Sequence, residues 1–354
     1  MNSRTGESIN QSVGEESLGI EVTTHCNSTC AHCFARAGIP ERSSLPVDLV
    51  MKIIAEGYNM GYRRVHLTGG EPLLWEGLFE TLDHAFDLGY EAVSLNTNGT
   101  VLMNDVVDRL AYYDCLSISV SLQGPEELHD LVRGEGSYEQ TLKGIEKIHD
   151  AGISCVIFAT ACKSLLPDLP QFASDIYERF PHTKGLTLIQ LIRVTNDIFD
   201  LSKDLLTPND FLQLVRMVSL LNLCGMKTYV LNNPLACVAS RLLKMPWIPL
   251  SHPLYRAGSL FVMANRDITL AHSSRDRFGK YRPGMIEKVL SSCEYRNAIA
   301  PDGSICPKCT YQKQCRENGM IRPSEWFRDM HPEVPYCKRV LDRAAAEIAQ
   351  PSVQ

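Results

Sequence analysis

Leu18-Gly19-Ile20-Glu21-Val22-Thr23-Thr24-His25-Cys26-Asn27-Ser28-Thr29-Cys30-Ala31-His32-Cys33 joins an alternating apolar run to three cysteines spaced four and three residues apart. Leu18, Ile20 and Val22 recur with period two, so Leu18 to Thr24 reads as a strand. The cysteines follow its C-terminal end. Three thiolates so placed can wrap one face of a compact cluster, and a four-iron cluster would keep one iron without a cysteine, open to an outside ligand. An open coordination position marks a reactive metal site. A zinc site with His25 or His32 as fourth ligand uses the same spacing, and the triad alone leaves both open.

Beyond this stretch, short β-branched runs alternate with amphipathic segments. Strands are expected at Arg64 to Thr68, Ala92 to Asn96, Leu116 to Leu122, Ile153 to Ala161 and Leu186 to Ile192. Helices are expected after Pro46, from Trp75 to Leu88, from an Asn104 cap to Tyr113, along Tyr138, Leu142, Ile145 and Ile148, from Leu169 to Arg179, and from Pro208 to Leu223. Six β-α units in series imply an α/β fold with parallel strands, as an open sheet or a barrel. Chemistry in such folds gathers at the C-terminal ends of the strands. The alternation stops near Tyr229, and the proline-rich stretch Asn233 to Pro253 reads as a connector. Little periodicity follows from Leu260 to Tyr336, and a helix is expected over Leu341 to Ile348. The expected organisation is a disordered tail over 1–17, a β/α domain over 18–230, a linker over 231–259 and a small irregular domain over 260–354.

The 354 residues are 44% hydrophobic and 21% charged with net charge −6, which leaves no basic footprint for nucleic acid. No apolar run approaches the roughly 20 residues that span a bilayer, and the first 17 residues hold no signal-peptide core. A cytoplasmic protein without nucleic-acid or membrane partners is expected. Thirteen cysteines, an odd number, speak against a disulfide framework in that compartment. Six of them (Cys115, Cys155, Cys162, Cys224, Cys237 and Cys293) are scattered, mostly in apolar segments where a buried inert thiol is the default. Cys306-Pro307-Lys308-Cys309, Cys315 and the distant Cys337 form a second group. Four cysteines make a closed site, for zinc or for an iron–sulfur cluster.

Further motifs decide between these readings. The second strand ends in Thr68-Gly69-Gly70-Glu71-Pro72, the third in Asn96-Thr97-Asn98-Gly99, and the fourth in Ser119-Val120-Ser121, with Arg133 downstream. With the cysteine triad these make five features in chain order, which resemble the radical S-adenosylmethionine (radical SAM) superfamily, across roughly residues 18–225. The resemblance implies a partial (β/α)6 barrel and a [4Fe–4S] cluster on Cys26, Cys30 and Cys33. It further implies S-adenosylmethionine contacts from Gly69, Gly70, Glu71, Pro72, Thr97, Asn98, Ser119, Ser121 and Arg133. Two glycines permit close approach of backbone to ligand, and carboxylate and guanidinium suit the ammonium and carboxylate of methionine. His32 stands where the family often has an aromatic residue, and Gln123 where it often has aspartate.

The second group resembles the last cysteine run of SPASM/twitch extensions, Cys-x2-Cys-x5-Cys. Gly319 stands where a further cysteine is expected, so the resemblance implies one auxiliary [4Fe–4S] cluster on Cys306, Cys309, Cys315 and Cys337. The implied activity is reductive cleavage of S-adenosylmethionine to a 5′-deoxyadenosyl radical, fed by flavodoxin or ferredoxin. Maturation of a ribosomally made peptide is the first expectation, although 17 residues before the first strand are too few for a leader-binding domain. Action on a sugar, aminocyclitol or nucleoside is the second, and a non-catalytic iron–sulfur or zinc scaffold the third. Glu71 and Arg133 count against the scaffold. The Gln350 to Gln354 ending sets aside the Gly-Gly-tailed molybdenum-cofactor enzyme, and His272-Ser273 stands roughly where sulfatase maturases have a Cys-Asp pair, so the base of those relatives is expected to be absent. Cys237 is the first thiol to test as a hydrogen donor. His272 fits a cluster-proximal ligand, a substrate contact or, first of the three, a surface histidine, and Trp75 and Tyr62 read as packing residues.

Overall fold

A computed structural model describes residues 13–35, 42–193, 200–245, 247–301, 303, 306–323 and 334–349. Nine strands lie among them: β1 (Ser17–Thr23), β2 (Arg64–Gly69), β3 (Ala92–Thr97), β4 (Leu116–Ser121), β5 (Ser154–Ala161), β6 (Leu186–Gln190), β7 (Thr228–Val230), β8 (Leu260–Val262) and β9 (Ile268–Thr269). The chain divides into two compact units. The first comprises 1–121, 133–155 and 254–300, and the second 122–132, 156–253 and 301–354.

In the first unit the strand order is β4-β3-β2-β1-β8-β9. β1 to β4 and β8 run parallel, and β9 returns antiparallel. Leu18, Ile20, Val65, Leu67, Val93, Leu95, Ile118 and Val120 are buried on one face. The helices Val47–Asn59 and Leu78–Leu88 bury Val50, Ile53, Ile54, Leu78 and Leu82. On the other face the register sets Gly19 beside His66, His66 beside Ser94, and Asn96 beside Ser119. A strand that is apolar on one side and polar on the other aims its polar side at something other than the helical layer.

In the second unit the order is β7-β6-β5, all parallel. The helices Leu169–Arg179 and Pro208–Leu223 accompany it with the bounds expected. Thr207 and Asp210 close a capping box at the start of the latter.

Several expectations are corrected. The predicted helix from Trp75 is a 3-10 turn (Pro72–Leu74) followed by Leu78–Leu88, because Trp75 is held aside by its indole N–H on the Leu45 carbonyl. Asn104 is not a cap: its helix is Asn104–Leu110, preceded by Met103, without a side-chain cap bond. The alternation does not stop at Tyr229, since Thr228–Val230 is a further parallel strand. The Asn233 to Pro253 connector holds a helix, Leu235–Leu242, which buries Cys237. Leu260–Val262 is not irregular but pairs with β1, in the first unit. Residues 13–17 are built into the fold: Val13 is buried and Glu16 pairs with Arg256 at 2.6 Å. Residues 1–12 of the expected tail lie outside the described residues.

Candidate functional site

The C-terminal ends of β1, β2 and β3 meet at the first cysteine group. The Gly70 amide donates to the Thr23 carbonyl and the Glu71 amide to the His25 carbonyl, both at 2.7 Å. These bonds anchor the start of the cysteine loop to the end of β2. They also explain the two glycines. A Cβ at Gly69 would lie 2.3 Å from the Thr23 carbonyl oxygen, and one at Gly70 only 2.1 Å from that of His25. The close approach they permit is to the chain's own backbone, which sets the cysteine loop against the end of β2.

Glu71 is fully buried. Its Oε1 accepts from Thr97 Oγ1 at 2.8 Å and the Leu73 amide at 3.2 Å, and its Oε2 accepts from the Asn98 amide at 2.8 Å. A carboxylate offers about four acceptor sites, so about one is left over. Burial raises the Glu71 carboxyl to about 7 against the pull of these donors and of Arg133. Glu71 is thus first a clamp that ties the end of β2 to the turn after β3. Gly99 closes that turn at φ +81°, a conformation glycine adopts without strain.

The turn in turn latches the cysteine loop. Asn98 Nδ2 donates to Asn27 Oδ1 at 2.8 Å, and Asn27 Nδ2 donates to Thr100 Oγ1 at 2.8 Å. Asn98 Oδ1 takes the Thr100 amide at 2.9 Å and its hydroxyl at 2.7 Å. Asn27 and Thr100 went unnoticed in the sequence; the signal was a polar residue beside a cysteine and another ending the Asn-Gly turn. Within the loop, the Cys33 amide donates to the Cys30 carbonyl at 3.1 Å. The Cys26 thiol is pushed up to about 11, mainly by burial, with Glu71, Cys30 and Cys33 adding to it.

Arg133 ends the helix Glu126–Arg133. Its Nη1 lies 3.9 Å from Cys30 Sγ and its Nη2 3.4 Å from His32 Nε2. A guanidinium only donates, so His32 Nε2 accepts here. Arg133 Nε is buried without a hydrogen-bond partner among the described residues. Ser119 and Ser121 stand on the polar side of β4, where Asn96 Oδ1 beside Ser119 is likewise buried and unpartnered. Gln123 clasps the backbone of Thr160, donating to its carbonyl at 2.8 Å and accepting from its amide at 2.9 Å. That leaves the position no acid role.

The second cysteine group is brought together too. Cys306, Cys309, Cys315 and Cys337 line one cavity of about 100 Å³ with Met320, Pro323 and Leu341. Cys337 sits on the helix Tyr336–Ala349, longer than the expected Leu341 to Ile348. Burial, with Cys337, Cys309 and Cys306 adding to it, raises the Cys315 thiol to about 12, and burial with Cys306 and Cys309 raises Cys337 to about 12. Four thiols side by side, with Cys315 and Cys337 held protonated by their surroundings, are a donor set that a cationic metal centre would relieve. Among the described residues no three Cys, His, Asp or Glu side chains converge on a single-ion site. A four-iron cluster takes one thiolate per iron instead. The three loop thiols, the unpartnered guanidinium nitrogen and the remaining Glu71 acceptor site therefore suit a cluster with an amino-acid-bearing ligand. Cys237 is a different matter: it is buried, with its thiol on the Pro249 carbonyl at 3.4 Å.

Residues 20–163 match the Radical SAM superfamily, so this chain carries a Radical SAM domain. The Mycofactocin maturase MftC of Mycolicibacterium smegmatis is 28% identical over 182 residues, 51% of this chain and 46% of that protein. The AdoMet-dependent heme synthase of Oleidesulfovibrio alaskensis is 33% identical over 161 residues, 45% of this chain and 40% of that protein. The matched stretch thus spans less than half the length of either relative. Among solved structures, native anSMEcpe with bound AdoMet superposes with TM-score 0.70 at 16% identity, over 94% of this chain and 99% of that one. At that identity the likeness shows the fold alone, an α/β fold on a mostly parallel sheet. No helix among the described residues is long and apolar enough to cross a membrane.

Proposed function

We propose that this chain cleaves S-adenosylmethionine reductively at a [4Fe–4S] cluster held by Cys26, Cys30 and Cys33, and takes hydrogen from a carbon of a ribosomally made peptide. When bound, cluster and cofactor together supply the electron transfer and the 5′-deoxyadenosyl radical. The chain's residues position and enclose. Gly69 and Gly70 seat the cysteine loop, Glu71 clamps the Thr97-Asn98 turn, and Asn98 latches the loop through Asn27. Arg133 offers its guanidinium to the cofactor carboxylate. The remaining acceptor site of Glu71, with the backbone from Gly69 to Pro72, takes the ammonium. Ser119 and Ser121 face the cofactor from β4. The observation that carries this reading is the Arg133 guanidinium, held over Cys30 with Nε buried and unpartnered. Cys306, Cys309, Cys315 and Cys337 hold one auxiliary [4Fe–4S] cluster, and a cytoplasmic flavodoxin or ferredoxin supplies electrons.

The peptide substrate is supported by the similarity to a maturase, and by anSMEcpe with bound AdoMet and Cp18Cys peptide, a protein of the same fold. The similarity to a heme synthase favours a second reading, a small-molecule substrate. Anaerobically reconstituted protein, dithionite, S-adenosylmethionine and deuterated short peptides encoded beside the gene separate the two. Deuterium carried into 5′-deoxyadenosine, with a mass change in the peptide, supports the maturase. Deoxyadenosine without deuterium from any peptide turns the assignment to a small molecule.

A further inference from the structure

Glu21 and His272 lie 251 residues apart in sequence, yet His272 Nε2 stands 2.7 Å from Glu21 Oε1. The other carboxylate oxygen of Glu21 takes the Ala264 amide at 2.9 Å. Both side chains are largely buried, 13% and 4% exposed, so His272 is not the surface histidine expected from sequence. The imidazole is stacked on Phe261 at 5.1 Å between centroids with an interplanar angle of 2°, and meets Phe34 edge-on at 4.9 Å. Phe34 directly follows Cys33. Phe261 can lie across β1 only because residue 19 is glycine, where a Cβ would stand 2.0 Å from the ring. His66 shares this polar face, bonded to Ser94 Oγ at 2.8 Å, and burial lowers it to about 4, which keeps it neutral at physiological pH.

A carboxylate on Nε2 makes that nitrogen the proton-bearing one and stabilises the imidazolium when the ring gains a second proton. Nδ1 is then the basic nitrogen, and it has no hydrogen-bond partner among the described residues. Phe261 covers one face of the ring, and the low local dielectric around these largely buried side chains strengthens the pair. A histidine needed only for packing would not require a buried carboxylate to set its tautomer.

We infer that His272, oriented by Glu21, accepts a proton from the substrate on the polar face beside the cysteine loop. This rests on the first site being a radical centre. The substrate class is a carbon bearing an O–H, N–H or S–H group, because hydrogen-atom loss from such a carbon makes that group acidic. The step is a proton transfer alone. The X–H bond breaks, the Nδ1–H bond forms, and the electron pair stays on X. His272 is the catalytic residue and Glu21 its positioning residue.

Two measurements test this. Long-range ¹H–¹⁵N spectra of reconstituted, ¹⁵N-histidine-labelled protein, with His272→Gln to assign the signal, report the tautomer directly. The Nε2–H tautomer is expected in the parent, and a mixture with Nδ1–H in Glu21→Gln. An Nδ1–H tautomer in the parent, or no response to Glu21→Gln, overturns the proposal. With the peptide that donates deuterium in the assay above, His272→Gln should still form 5′-deoxyadenosine within about threefold of the parent. Modified peptide should fall about 100-fold, the lower end for loss of a general base. Equal loss of both products with the cluster intact, or no loss of either, overturns it. If the parent forms no deoxyadenosine, the radical reading fails while the tautomer measurement still decides on the pair.

Discussion

Gly70→Ala is the sharpest perturbation of the cysteine loop. The new methyl would meet the His25 carbonyl oxygen at 2.1 Å, its carbon at 2.5 Å and the Thr24 carbonyl carbon at 2.9 Å. All three are backbone atoms, so no rotamer change relieves the contact. Ordinary contact begins near 3.4 Å, so the loop must retreat by about 1 Å. That retreat breaks the 2.7 Å bond from the Glu71 amide to His25. Overpacking costs about 1–3 kcal/mol, and the lost bond adds about 1 kcal/mol. Gly14→Ala is the control, since its methyl would find only one atom, at 3.8 Å. Urea unfolding should show Gly70→Ala destabilised by about 2–4 kcal/mol against that control. Reconstituted Gly70→Ala should hold about four irons instead of about eight and lack the first cluster's paramagnetic-resonance signal. Equal stability, iron and signal in the two variants would refute the account of the loop.

Other consequences can be measured separately. Because burial raises the folded Glu71 carboxyl from 4.5 to about 7, the unfolded state ionises first, so metal-free protein should lose stability as pH rises between those values. Glu71→Gln should remove that slope, seen in urea midpoints from pH 4.5 to 7.5. Asn27→Ala and Thr100→Ala should each cost about 0.5–1.5 kcal/mol, with less than additive loss in the double variant because they share one bond. Full additivity would dissolve the latch. Cys315→Ser should lower iron from about eight to about four per chain while 5′-deoxyadenosine formation persists; unchanged iron would remove the auxiliary cluster.

Features set by local pattern were readable in the sequence. The apolar alternation of Leu18, Ile20 and Val22 marked β1, and both cysteine groups were visible as spacings. Features set by long-range approach were not. Gly69 and Gly70 announce that something comes close, but not that it is the chain's own Thr23 and His25 carbonyls. Glu21 and His272 meet only because β8 adds to β1, and a three-residue strand carries too little periodicity to be seen. That the Asn98 side chain also latches Asn27, 71 residues away, and Thr100 within the turn is not visible in the motif. The motif marks the right place, and the division of labour inside it needs the fold.

The central claim is that the loop of Cys26, Cys30 and Cys33 is a radical S-adenosylmethionine centre. Its most direct test is 5′-deoxyadenosine release from S-adenosylmethionine by anaerobically reconstituted protein with excess dithionite, beside Cys30→Ala. The account predicts deoxyadenosine and methionine in equal amounts from the parent, and neither from Cys30→Ala, which should keep the second group's roughly four irons. An intact first cluster that releases no deoxyadenosine, or a Cys30→Ala variant that releases as much as the parent, would contradict it.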